Sequence, residues 1–148
     1  MAVTSAGYLL DTNVISELMK RRPSRAVAAW IVSTPEELMH LSVITLGEIR
    51  KGIDLLDDDE PRRAALQSWL DHDLRVRFAG RLLPFDESVA ARWGVVEALA
   101  RRQGISLPTI DAQLAATALH HGLTFVTRNT ADFRRTGVPL FNPWHHGA

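Results

Sequence analysis

The stretch Tyr8-Leu9-Leu10-Asp11-Thr12-Asn13 runs from apolar residues straight into a carboxylate, a hydroxyl and an amide. A carboxylate at the end of an apolar run is costly unless a cation faces it, and a divalent metal is the commonest such partner. Three further stretches carry candidates of the same kind. Glu48 stands in Thr45-Leu46-Gly47-Glu48-Ile49, Asp111 in Thr109-Ile110-Asp111-Ala112, and Asn129 and Asp132 in Thr127-Arg128-Asn129-Thr130-Ala131-Asp132-Phe133. Hard oxygen donors, in a chain without cysteine, favour Mg²⁺ or Mn²⁺ over zinc. Carboxylates alone would repel a phosphodiester. With one or two such ions the same cluster activates water and offsets the charge that grows on the phosphoryl oxygens. Metal-assisted phosphodiester hydrolysis is the chemistry these residues could do.

Positioning them requires strands that deliver Asp11 and Asn129, and helices that start at Glu48 and Asp111. The apolar spacing supplies both. A helix is expected over Val14–Arg21, capped by Thr12 or Asn13 and closed before Pro23, and a second over Arg25–Val32. The run Leu38–Val43 reads as a buried strand leading into a helix that carries Glu48 and continues to Leu56. Leu66, Trp69, Leu70 and Leu74 mark another helix, and the proline-broken Arg81–Phe85 an edge strand or connector. Asp86 or Ser88 opens a helix with a core stripe of Val89, Trp93, Val96 and Leu99, ending at Gly104. Small residues fill the next helix, Ala112–Leu119, which has Asp111 in its first turn and Gly122 as its stop. Leu123–Val126 is a third buried strand. This alternation predicts an α/β fold with a mostly parallel sheet, helices on both faces, and every strand's C-terminal end on one rim. All five candidates can gather there.

The composition bounds the reading without deciding it. At 148 residues the natural expectation is one domain, 1–148. No apolar run approaches the roughly 20 residues that span a bilayer, and Met1-Ala2-Val3-Thr4-Ser5 lacks the start of a signal peptide. The absence of cysteine permits a reducing cytoplasm. The net charge is +0, so no global field draws in nucleic acid, and local cations must serve. Of the 17 basic residues 15 are arginine, suited to bidentate phosphate contact. Plainer roles exist for each candidate taken singly: Asp11 as a helix cap, Glu48 as a partner of Arg50 or Lys51, Asp111 as a dipole partner, Asn129 and Asp132 as turn residues. Glu17 reads as a solvated face or an arginine partner. Asp57-Asp58-Asp59-Glu60 reads as a loop ahead of a helix, the pairs His120-His121 and His145-His146 as helix-end and tail residues, and Trp30, Trp69 and Trp93 as packing residues.

Joint order overturns the plainer roles. The four stretches together resemble the PIN-domain nucleases, and more closely the VapC/FitB-type toxins of bacterial toxin–antitoxin pairs. The likeness runs from residue 8 to residue 144 and includes Phe141-Asn142-Pro143-Trp144. It implies a three-layer PIN-like fold and a Mg²⁺- or Mn²⁺-dependent endoribonuclease acting on RNA. Asp11, Glu48 and Asp111 would be its acidic metal ligands. The family's fourth polar position falls on Asn129, where several relatives have aspartate. Its neutral carbonyl could hold a metal-bound water, or Asp132 could supply the missing charge. Thr12, Asn13 and Thr127 would orient the carboxylates. The resemblance also implies a homodimer and a small antitoxin that inserts a segment, such as an arginine, into the acidic pocket, with DNA engaged only through that antitoxin. One alternative is a catalytically weak module that works by binding within a DNA-bound toxin–antitoxin repressor complex. Another, a haloacid-dehalogenase-like phosphatase, would need an aspartate where Asn13 stands.

Overall fold

The strand β1 (Tyr8–Leu10) lies at the centre of a five-stranded sheet, and each of its apolar residues is covered on its own side. The structure is a computed structural model and describes residues 7–147, so the reading of Met1–Ser5 lies outside the described residues. β2 (Met39–Ser42), β3 (Leu82–Leu83), β4 (Thr124–Val126) and β5 (Leu140–Phe141) complete the sheet in the order β3-β2-β1-β4-β5. Every pairing is parallel, with Tyr8, Leu9 and Leu10 opposite Thr124, Phe125 and Val126. Side chains alternate across a strand, so Leu10 and Val126 face one core and Leu9 and Phe125 the other. The central strand β1, buried on both faces, is an unbroken run with apolar side chains throughout.

Helices cover the two faces. On the first, α1 (Thr12–Leu18), α2 (Arg25–Ser33) and α3 (Val43–Asp54) supply Val14, Ile15, Val27, Trp30, Ile31 and Ile53. α4 (Arg63–Ser68) continues through a π-helical turn at Trp69–Asp73 into α5 (Leu74–Arg77), and the turn places Leu70 beside Leu74 in the same core. On the second face, α7 (Thr109–His121) lays Leu114, Ala115 and Ala118 against the sheet, and the short α8 (Thr130–Phe133) adds Phe133. α6 (Glu87–Arg102) packs against α7. This is the three-layer α/β arrangement expected. Among the described residues, no helix is long and apolar enough to cross a membrane.

Local readings differ in four places. Asp11 itself, not Thr12 or Asn13, caps α1, accepting the Thr12 backbone N–H at 2.7 Å. On α6 the stripe turns inward through Val89, Val96 and Ala100, leaving Leu99 53% exposed. Glu17 is not on a solvated face: it is 6% exposed and pairs with Lys20. Glu48 does not pair with Arg50, which meets Asp71 instead, while other plain readings stand. Asp86 caps α6, Gly122 ends α7 in the left-handed conformation, and the Asp57–Glu60 run is a loop.

Gly7 enters β1 with φ +140°, and a Cβ built there would stand 2.4 Å from the Leu38 carbonyl oxygen. Backbone cannot yield as a flexible side chain can. Gly7→Ala is therefore expected to destabilise the fold by ~2–4 kcal/mol, combining a strained φ with a steric clash. A urea melt checks this, and an unchanged midpoint would contradict the close approach.

Candidate active site

The chain leaves β1 outward to β2 and β3, then returns on the other side through β4 and β5. The order thus reverses between β1 and β4, and crevices at such a reversal are where open α/β sheets hold ligands. Asp11 follows β1 and Thr127 follows β4, on either side of that crevice. The Asp11 backbone N–H donates to the Val126 carbonyl at 2.9 Å, closing the two strand ends together. α3 starts directly from β2, capped by Ser42. That start puts Glu48 in the second turn of α3, beside Thr12. α7, entered through Pro108, carries Asp111 in its first turn.

Asp11, Thr12, Glu48 and Asp111 line one cavity of about 430 Å³ with Asn13, Glu17, Lys20, Arg128, Asn129 and Trp144. Asp11 is 7% exposed, and its two oxygens are held by different donors. Oδ1 accepts from the Thr12 backbone, and Oδ2 accepts from the Thr127 hydroxyl at 2.8 Å. Thr127, itself fully buried, accepts in turn from Asn13 Nδ2 at 3.3 Å and from the Asn129 backbone N–H at 3.0 Å. Glu48 accepts from the Thr12 hydroxyl at 2.5 Å. One threonine therefore fixes each of two carboxylates, which is how the hydroxyls following β1 and β4 serve the site.

Burial pushes the Asp11 carboxyl up to about 6, with the Glu48 and Asp111 charges adding to the rise while the bonds from Thr127 and Thr12 oppose it. Burial also raises Asp111, helped by Asp132 and then Glu48. The carboxylates thus sense one another electrostatically, and among the described residues no cation pairs with Asp11. Glu17 behaves oppositely. Hydrogen bonds from Lys20 at 2.9 Å and from the Ser24 backbone N–H at 2.9 Å hold its carboxyl below the usual range.

The expected residues therefore fall into three groups. Asp11, Glu48 and Asp111 line the cavity together. Asn129 joins them at its exposed rim. Asp132 lies outside it, on the exposed surface of α8, near enough to raise Asp111 but facing the shallow depression formed by Ile105 to Pro108 and Arg135. Lys20, Arg128 and Trp144 also line the cavity, where sequence reasoning did not place them. Glu17 lines it too: its place on the first helix puts it near the expected site, but as a solvated face or an arginine partner rather than a buried wall residue.

The donor set suits a hard divalent cation. Four carboxylates and two cationic side chains line the cavity, so a single divalent ion would balance the charge. Asn13 Oδ1 is buried there without a hydrogen-bond partner, an acceptor ready for a metal-bound water. Among the described residues, no three acidic or imidazole groups close around one point as a ready cage. Mg²⁺ does not require one, because it keeps several waters and is usually held by one or two carboxylates.

The chain is similar to known proteins over most of its length. The PIN domain family profile matches residues 8–139. Toxin FitB of Neisseria gonorrhoeae is 42% identical over 137 residues, 93% of this chain and 98% of that protein. A VapC ribonuclease, Y4jK of Sinorhizobium fredii, is 40% identical over 92% of this chain and 96% of its own length. Among solved structures, FitAcB from Neisseria gonorrhoeae superposes with a TM-score of 0.87 at 42% identity, covering 93% of this chain and 99% of that one. FitAB bound to a DNA fragment superposes equally well, at 0.87 and 40% identity over 95% of this chain and 98% of that one. The chain belongs to the PIN domain family.

Proposed function

We propose that this chain is a Mg²⁺- or Mn²⁺-dependent endoribonuclease, the toxin of a toxin–antitoxin pair. The observation that carries the reading is Asp11, a buried carboxylate at the sheet's reversal point, with Glu48 and Asp111 in the same cavity and, among the described residues, no cation paired with it. Relatives at 40% identity and above bear ribonuclease and toxin names, over nearly their whole length. The acid set also speaks against the catalytically weak alternative.

Asp11, Glu48 and Asp111 would hold the ion, with Asn13 Oδ1 and Asn129 accepting from its waters. When bound, the ion supplies positive charge for the phosphoryl oxygens and lowers the pKa of a water. The chain's own residues do the rest. Thr127 and the Thr12 backbone keep the Asp11 oxygens aimed into the crevice, and the Thr12 hydroxyl does the same for Glu48. Asp111 is half-buried with no hydrogen bond to its carboxylate among the described residues, and its pKa is raised. That leaves its oxygens free to take part in holding the ion.

An apolar groove of about 290 Å³, lined by Ile15, Met19, Ile49, Ile53, Leu66 and Trp69, adjoins the cavity and shares Thr12, Lys20 and Glu48 with it. A small antitoxin segment with apolar side chains and one guanidinium suits both, blocking the carboxylates without offering metal geometry. The FitAB pair solved on a DNA fragment supports contact with DNA through such a partner. A homodimer in the cytoplasm completes the reading.

The test is metal removal. Chelation with EDTA should stop cleavage of structured RNA by the purified chain, and Mg²⁺ or Mn²⁺ should restore it. Cleavage that persists in EDTA would contradict the metal-dependent reading.

A further inference from the structure

Arg128 stands on the wall of a cavity with four carboxylates and pairs with none of them: among the described residues it makes no ion pair within 4.0 Å. Its guanidinium instead lies over the Trp144 ring, 5.2 Å from the centroid. A cation–π contact of this kind favours a guanidinium near the ring without using its N–H donors on an acceptor. The platform is braced. Asn142 Nδ2 donates to the Arg128 carbonyl at 3.4 Å, and Asn142 Oδ1 accepts the Trp144 backbone N–H at 2.9 Å. Trp144 itself packs against the core on the α2 side. Across the cavity, Lys20 is held by the buried Glu17 at 2.9 Å, and its own side chain stays 59% exposed with two N–H donors to spare.

Arg128 is thus held by a ring that takes none of its donors, and Lys20 by a carboxylate that takes one of three. The Arg128 charge reaches Glu17 without an ion pair. An arginine laid on an aromatic ring beside the acids is presented outward, to an anion that arrives from solvent. The acidic half of the cavity accounts for the scissile phosphate and leaves the rest of a polyanionic strand without a partner.

We propose that Arg128, laid on Trp144, binds a non-scissile phosphate of the RNA strand, with Lys20 on Glu17 as a second contact, so that the strand is drawn across the carboxylates. This rests on the ribonuclease reading and names the residues that hold its substrate. Arg128 and Lys20 are substrate-binding residues, and Trp144, Asn142 and Glu17 are positioning residues.

The experiment separates binding from cleavage. A labelled single-stranded RNA oligonucleotide of mixed sequence is titrated in Mg²⁺ against Asp11→Asn, Asp11→Asn with Arg128→Ala, and Asp11→Asn with Arg128→Lys. Steady-state cleavage is measured in parallel with Asp11 intact, and circular dichroism confirms that each variant is folded. Arg128→Ala should weaken binding roughly ten- to a hundredfold, the range for loss of a charge-assisted contact. The slope of log K against log salt should fall by about 0.7, as for one phosphate contact on a single strand. KM should rise by a similar factor while kcat changes little. Arg128→Lys should recover the salt slope and only part of the affinity, because a lysine keeps the charge but not the flat fork. Trp144→Leu should mimic a fraction of the Arg128→Ala loss.

If binding, salt slope and KM are unchanged in a folded Arg128→Ala protein that still cuts RNA, the proposal is overturned and the nuclease reading survives. If kcat falls with KM and salt slope unmoved, Arg128 acts on the chemistry or the fold and the proposal is likewise overturned. If the parent chain cuts no RNA but RNA binding and its salt slope still depend on Arg128, the phosphate contact holds and the ribonuclease reading fails.

Discussion

Asp11→Asn is expected to yield a protein that no longer cuts RNA and is more stable than its parent at neutral pH. The folded Asp11 carboxyl titrates at about 6 rather than 3.8, so the folded state holds a proton that the unfolded chain has already lost between those values. Stability from this group is greatest below about pH 4, falls as the pH rises through the window, and above about 6 is reduced by a constant ~3 kcal/mol. An amide carries no such penalty. It does lose one good hydrogen bond, because the Thr127 oxygen it would face already accepts from Asn13 and Asn129. Allowing ~1 kcal/mol for that loss leaves a gain of ~1–2 kcal/mol at pH 7.5. At pH 4 the difference should vanish or change sign. Chemical denaturation at both pH values, without divalent ions, measures this crossover. A variant no more stable than the parent at pH 7.5 would contradict the assignment of Asp11 as a desolvated, unrelieved carboxylate. Mn²⁺ should raise the melting temperature of the parent, by binding only the folded state, and leave the variant nearly unmoved. Loss of a residue that holds the ion is worth several kcal/mol in the barrier, so cleavage should fall on the order of 10³-fold or more.

Thr127→Val is the second large effect, and it runs the other way on stability. The hydroxyl is fully buried, donates to Asp11 and accepts from Asn13 and the Asn129 backbone. Valine has nearly the same shape, so packing is kept and three polar groups lose their partner at once. An expected loss of ~2–4 kcal/mol follows from leaving buried groups unsatisfied. The Thr127 bond is the largest influence holding the Asp11 carboxyl down, so in the variant Asp11 should titrate above about 6. Cleavage at neutral pH should fall by roughly ten- to a hundredfold, the usual effect of removing a group that orients a ligand. Thr127→Ser should restore both properties. Thermal melts together with a ¹³C titration of the Asp11 carboxyl would show it, and a Val variant as stable as the parent would remove Thr127 from the account.

The strands and the acids were legible in the sequence for a physical reason. A strand buried on both faces favours apolar residues, so the runs Leu9-Leu10 and Phe125-Val126 end where the sheet ends, and the polar Asp11 and Thr127 fall at the rim. Glu48 and Asp111 were legible because each follows a recognisable helix start. What escaped depends on which way individual side chains turn once the elements are packed. Nothing near Arg128 announces that its guanidinium rests on Trp144, sixteen residues on, nor that Glu17 turns inward to meet Lys20 and Ser24. On α6, Leu99 and Ala100 differ by one position, a rotation of about 100°. The burial of Val96 and Ala100, rather than hydrophobicity alone, decides which face meets α7. The cap is a different case: Asp11 does cap α1, as its plainer reading holds, and the same carboxylate still has its second oxygen at Thr127 in the cavity.

The most direct test of the central claim is cleavage of structured RNA by the purified chain, free of any co-expressed partner, in Mg²⁺ or Mn²⁺ beside the Asp11→Asn variant. Cutting by the parent that the folded variant has lost is the predicted result. Equal cutting by the two would contradict it, and would move the active site away from the crevice between β1 and β4.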